Sequence, residues 1–270
     1  SAPYPYSPTG KFAGDLRNGY LEPLTLMSYL AGETSRVRLG TSVLVIPYRN
    51  PVVTAKMLAT LDVLSGGRII LGAGVGWFKE EFEALHAEPF ERRGAVTDEY
   101  LHLMRACWTR EPVDWQGAFY GMGPVSAMPK PRQKGGIPIW VGGHTDAALR
   151  RAGELSDMLL PEEYRDKVAI IRDWARKAGR DPRAITLSFR CPLEVLPKRA
   201  KPAGGERQLF RGTAAEVIGD LKAYEALGVT HFVFDPVAQD LRGWLAIMER
   251  FAEEVRPRMR GSSGPRRVTA

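Results

Sequence analysis

Arg36–Pro47 reads RVRLGTSVLVIP, Arg68–Trp77 reads RIILGAGVGW, and the stretch between them, Tyr48–Gly67, reads YRNPVVTAKMLATLDVLSGG. The two outer runs are almost continuously apolar, broken only by small residues. Strands of that kind have no solvent-facing side, so they belong to a parallel sheet covered on both faces. The middle stretch has helical period: Val52, Ala55, Leu58 and Leu61 recur at three-residue steps. Pro51 stands at a favoured first-turn position and Ser65-Gly66-Gly67 stops the helix. A strand, a helix and a strand in immediate succession predict a right-handed crossover.

Outward from this unit the pattern repeats. Ile137–His144 (IPIWVGGH), Asp157–Pro161 (DMLLP), Ile185–Val195 (ITLSFRCPLEV) and Thr230–Pro236 (THFVFDP) are further strand candidates, six in all. Helices are predicted over Phe78–Leu85, Thr97–Trp108, Thr145–Leu155, Arg165–Ala178 and Ala214–Leu227, and Val113–Tyr120 reads as a hairpin turning at Gln116-Gly117. The segment 77–136 is longer than a crossover needs and is expected to form an inserted lid or wall over a site. The expectation is an α/β fold in one domain over 1–258, followed by a disordered basic tail over 259–270.

Composition narrows the function. A chain of 270 residues with 44% hydrophobic content can bury a full core. No run of about 18 uncharged apolar residues is present, which argues against a membrane span. The opening SAPYPYSPTGKF lacks the apolar core of a secretory signal. Two cysteines, Cys107 and Cys191, are too few for a disulfide framework or a zinc site and suggest a reducing, cytoplasmic setting. The net charge is +7, but Arg256, Arg258, Arg260, Arg266 and Arg267 supply five positive charges in a terminal stretch without an acid. The body is nearly balanced, so neither nucleic acid nor membrane is the expected partner.

In parallel α/β folds ligands lie at the carboxyl ends of strands, so four such ends are singled out. Gly40-Thr41-Ser42-Val43 interrupts an apolar strand with small polar residues, marking a bulge or a close approach of backbone to ligand. Gly72-Ala73-Gly74-Val75-Gly76-Trp77 resembles half of a dinucleotide fingerprint, yet Trp77 stands where the last glycine belongs. Gly142-Gly143-His144-Thr145 runs from a strand into a helix start, whose amides and macrodipole suit a phosphate. His144 could add a contact or transfer a proton, and is the one candidate catalytic residue. Arg49 could meet an acidic substrate or cofactor tail. His86, His102 and His231 lack metal-ligand spacing, no metal is expected, and Cys191 beside Pro192 reads as a buried, inert thiol.

The series YPYSPTGKF, RVRLGTSVLVIPYRNPVVTAKMLATLDVLSGGRIILGAGVGWFKEEFEAL, ERRGAVTDEYLHLMRACWT and PIWVGGHTDAALRRAGELSD resembles the luciferase-like monooxygenase superfamily, within it the branch of oxidoreductases using the deazaflavin coenzyme F420. The resemblance implies a TIM (β/α)8 barrel with a flavin or deazaflavin across the carboxyl ends of its strands. It implies that Thr41, Ser42 and Val43 contact the ring, through a non-prolyl cis peptide between Ser42 and Val43. Gly74, Val75 and Gly76 would flank the ring or its ribityl chain, and Gly142, Gly143, His144 and Thr145 would receive the phosphate. Glu80, Arg93, Asp98 and Glu99 match recurrent positions and are expected to form salt bridges holding the inserted region. FMN, serving a monooxygenase with a partner reductase, is the alternative cofactor. A homo-oligomer, a dimer, acting on a small molecule is expected.

The family begins with a strand, a helix and a second strand, whereas Ser1 falls after them. Six of eight barrel strands are found, so the chain is expected to be N-terminally truncated, to lack the usual catalytic group, and to expose sheet edges that promote self-association. An inactive cofactor-binding remnant is the third reading.

Overall fold

The computed structural model describes residues 19–143, 145–155, 157–160, 164–197 and 207–259, and the chain divides after Asp157 into two compact units. The first holds α1 (Pro23–Glu33), β1 (Leu39–Gly40), β2 (Leu44–Val45), α2 (Pro51–Ser65), β3 (Ile69–Gly74), α3 (Lys79–Ala84) and α4 (Arg93–Thr109). After these come β4 (Val113–Gln116), β5 (Gly121–Val125), β6 (Ile139–Gly142) and α5 (Asp146–Leu155). β3 pairs in parallel with β1 and β2 on one side and with β6 on the other. All six of its residues are buried, as a strand covered on both faces requires. β4 and β5 form a separate antiparallel hairpin.

Local chemistry sets the helix bounds. The Asn50 side chain accepts hydrogen bonds from the amides of Val52 and Val53, Pro51 occupies the first turn, and Gly66 at φ 72° ends α2 in the left-handed conformation. α2 presents Ala55, Leu58 and Leu61 to a core shared with Val96, Leu101, Leu103 and Met104 of α4, all at most 3% exposed. Each such Val, Leu or Met side chain contributes about 1.5–3 kcal/mol by leaving water. α4 therefore starts one turn before the predicted Thr97, and within 77–136 it is a core helix rather than a cover.

Two polar residues stitch the unit. Asp62, fully buried, accepts from the Gln133 amide at 3.0 Å and its side-chain Nε2 at 2.7 Å. The Arg68 guanidinium donates to the carbonyls of Ala31, Thr34, Val37 and Ser65, closing the end of α1.

The second unit continues β7 (Asp157–Leu160) with α6 (Tyr164–Lys177), β8 (Leu187–Val195), β9 (Arg211–Gly212), α7 (Ala214–Ala226) and β10 (His231–Pro236). It ends in α8 (Leu241–Arg250), a π-helical turn over Phe251–Val255 and α9 (Arg256–Met259). β8 is central, paired in parallel with β7, β9 and β10. α7 opens with a capping box, Thr213 and Glu216 each bonding the other's backbone. Phe189, Phe210, Tyr224 and Phe232 pack ring to ring around β8. Cys191 is buried, and that burial, with Asp220 nearby, pushes its thiol up to about 12, which suits an inert role.

All six predicted strand regions carry strand, and the chain is α/β. The first run is two short strands rather than one, and the hairpin reaches Val125 with its turn at Gly117–Tyr120. α1 and α8 had not been foreseen, although Pro23 at the head of α1 and the Asp240 cap of α8 are ordinary start signals. Among the described residues no helix is long and apolar enough to cross a membrane. The tail over 260–270 lies outside them.

Candidate functional site

The gap between β1 and β2 is where the unit departs most from regular sheet. The Ser42–Val43 peptide is cis, in keeping with the resemblance, and both residues are exposed. Thr41 replaces the missing ladder bonds: its hydroxyl donates to the Gly72 carbonyl at 2.8 Å and accepts from the Gly72 N–H at 3.0 Å. The glycines of β3 accommodate this loop. A Cβ on Gly72 would lie 1.9 Å from the Thr41 carbonyl oxygen, and one on Gly74 2.5 Å from Val43 Cγ2. Gly76, at φ +81°, would place its Cβ 2.8 Å from the Phe82 ring and 2.9 Å from Val45. Contact with Thr41, Val43, Val45 and Phe82 thus requires glycine at these positions within the folded chain itself.

Register brings the loop and the two glycine motifs together. Leu44 pairs with Ala73, and Ala73 with Val141, so Val45, Gly74 and Gly142 lie level across the sheet at the carboxyl ends of the strands. Val43, 45% exposed, lies in the loop just before β2, and the half-buried Val75 follows Gly74.

β6 ends at Gly142 and α5 begins at Asp146. Gly143 has φ +138°, and a Cβ there would meet Ala148 Cβ at 2.8 Å, so glycine is needed for the turn. The Thr145 hydroxyl accepts from the Ala148 N–H at 3.3 Å, capping the helix, while His144 lies outside the described residues. Amides at such a start favour an anion. The helix is held from behind: Asp98 on α4 accepts from Arg150 at 2.8 Å and from Arg151 Nε, and Arg151 is only 3% exposed.

Other candidates are engaged elsewhere. Arg49 binds Glu22 at 2.7 Å, and Glu22 in turn caps α1 through the Thr25 N–H. Arg93 donates to the Gly76 and Phe90 carbonyls, and Glu99 accepts from the amides of Ala118, Phe119 and Tyr120. Of the four residues expected to form salt bridges, Asp98 does so, Arg93 and Glu99 hold backbone instead, and Glu80 is exposed. Sequence reading missed Tyr48, whose hydroxyl donates to Glu81 at 2.6 Å; burial, then that carboxylate, push its pKa upward. No cluster of metal ligands occurs among the described residues. An apolar groove of about 240 Å³ lies apart from the loop, lined by Val52, Ala55, Trp108, Val125 and Ala127 among others.

Comparison with known proteins adds to this geometry. The family description "Luciferase-like monooxygenase" matches residues 6–201. An uncharacterised protein of Mycobacterium tuberculosis is 34% identical over 256 residues, covering 93% of this chain and 83% of its own. The F420-dependent glucose-6-phosphate dehydrogenase of Segniliparus rotundus is 28% identical over 283 residues, covering 88% of this chain and 83% of its own. The solved monooxygenase RslO1 of Streptomyces bottropensis superposes with a TM-score of 0.75 at 22% identity, covering 88% of this chain and 83% of its own. That last likeness speaks for the fold.

Proposed function

The chain belongs to the luciferase-like monooxygenase family, and we propose that it is an oxidoreductase holding coenzyme F420, a deazaflavin, and passing hydride to or from a small organic substrate. The observation that carries this reading is the level set of Val45, Gly74 and Gly142 with the exposed Ser42–Val43 loop at one end and the start of α5 at the other. The relative named for F420 supports the choice of cofactor.

When bound, the deazaflavin supplies a hydride donor or acceptor at its central ring carbon. The residues around it bind and orient. In this reading Ser42 and Val43 support the ring, with Thr41 fixing their backbone through Gly72. Gly74, Val75 and Gly76 flank it. The amides of Gly142, Gly143, His144 and Thr145 take the phosphate, at a turn that any side chain on Gly143 would fill. Val43 keeps water from the ring edge. Arg49 is the substrate contact in this reading, with its Nη2 already held by Glu22.

A homodimer is part of the proposal, supported by exposed apolar residues along α1 and α2, among them Tyr29, Val53, Met57 and Leu64. A reducing compartment is supported by the two buried, unpaired cysteines.

Fluorescence titration of the purified protein with F420 and with FMN tests the reading. Tighter binding of F420 is expected. Equal or stronger binding of FMN would move the assignment to a monooxygenase served by a reductase, and binding of neither would favour an inactive remnant.

A further inference from the structure

β3 is flanked on one side by β1 and β2 and on the other by β6, so what stands at its carboxyl end owes nothing to a sheet edge. The chain leaves β3 through Val75 and Gly76 and sets two aromatic residues, Trp77 and Phe78, before α3 begins at Lys79. Their rings stack at 5.1 Å between centroids and 25° between planes, and both residues are half-buried. The support beneath them is fixed. The Gly76 carbonyl accepts from Arg93 Nε at 3.2 Å, and the buried Phe82 ring packs against Gly76. Val43, 45% exposed and packed on Gly74, adds an apolar edge from the neighbouring loop.

Local rules do not favour this sequence here. Phe78 is the N-cap of α3, and its side chain makes no hydrogen bond to the helix amides, at a position where Ser, Thr, Asp or Asn stabilises a helix start. A local rule broken at a ligand-bearing strand end is where function is expected. The charges beside the pair select against an anion. Arg93 is spent on the Gly76 and Phe90 carbonyls, Arg92 lies over the Phe119 ring at 4.3 Å, and Lys79 faces Glu83 and Glu91 at 3.9 and 3.5 Å. Glu80 and Glu81 stand exposed in the first turn of α3, Glu81 accepting from Tyr48. A phosphate or carboxylate would meet these acids, while the cations beside them are already held.

We propose that Trp77 and Phe78 form the substrate-recognition wall of the oxidoreductase and select an uncharged planar ring over an anionic sugar. A flat apolar ring stacks on the aromatic pair, face to face or edge to face. Glu80 and Glu81 repel a charged competitor. The assignment rests on the hydride-transfer reading for the presence of substrate at these strand ends.

The experiment titrates coumarin, an uncharged planar molecule, into the intact chain by isothermal calorimetry, first alone and then with F420. Saturable binding is expected, weakened about tenfold in Trp77→Ala and kept within about threefold in Trp77→Phe. Trp77→Leu replaces the alanine variant if that one does not fold. Phe78→Ser supplies the missing cap, so it is expected to hold the thermal midpoint while weakening coumarin, a combination that a purely structural role would not give. Glucose 6-phosphate should not displace coumarin, and F420 affinity should be unchanged in Trp77→Ala. Equal coumarin affinity in wild type, Trp77→Ala and Phe78→Ser overturns the proposal, as does displacement by glucose 6-phosphate. Loss of F420 binding together with coumarin binding in Trp77→Ala assigns the pair to the cofactor and overturns its role toward substrate. Absence of F420 binding in the wild-type chain overturns the cofactor reading instead, and the titration without cofactor still decides the aromatic wall.

Discussion

Gly72 and Thr41 show how much one residue pair decides. The Thr41 hydroxyl grips both backbone groups of Gly72, and a Cβ there would overlap the Thr41 carbonyl oxygen at 1.9 Å. Gly72→Ala must push the cis loop away and is expected to destabilise the protein by about 1–3 kcal/mol. Gly32 is the control, because a Cβ on it meets nothing within 4 Å and it lies inside α1. Gly32→Ala should stabilise by up to about 1 kcal/mol. Urea unfolding midpoints measure both; a Gly72→Ala midpoint equal to wild type would show that the loop does not demand glycine.

Elements are joined by charged side chains that span them. Asp98 links α4 to the middle of α5 through Arg150 and the buried Arg151, and Glu99, one residue on, gathers the amides of the hairpin turn. Gly117 makes room for that carboxylate, since a Cβ there would stand 1.9 Å from Glu99 Oε1. Asp98→Ala leaves the Arg151 guanidinium buried without its counter-charge, at a cost of about 3–5 kcal/mol. Arg150→Ala, removing a side chain 36% exposed, should cost under about 1 kcal/mol. Hydrogen exchange of the α5 amides should accelerate in the first variant and not in the second. Equal protection in both would mean that Asp98 does not hold the helix.

Acid stability is a property of the whole molecule, and Asp220 gives it a definite sign. Burial pushes this carboxyl upward, but paired bonds from Arg207 at 2.6 and 2.7 Å and the Phe210 N–H at 2.8 Å outweigh that and hold it below the usual range. A pKa lower in the folded than in the unfolded chain stabilises above the unfolded value and loses that contribution as pH falls through the folded one. Stability should therefore drop below about pH 4, and Asp220→Asn should flatten that acid limb. Chemical denaturation across pH 2–7 reads the slope; parallel curves for both proteins would remove Asp220 from the account. The strands were legible because each signal is local: an apolar run, a proline at a helix start or a glycine at its end lies within a few residues, and so Pro51 and Gly66 bound α2 as expected. Family membership was legible for the same reason, since it rests on contiguous motifs. Contacts between distant positions were not legible. Thr41 meets Gly72 across 31 residues, Arg49 meets Glu22 across 27, and Arg190 meets Asp235 across 45. The glycines of GAGVG could be recognised as demanding close approach, but whether ligand or backbone approaches is decided by strand register. Composition and periodicity thus determine which segments become strand and helix, while only tertiary packing determines which side chains are consumed by the fold and which, like Trp77 and Phe78, stay half-buried at a strand end.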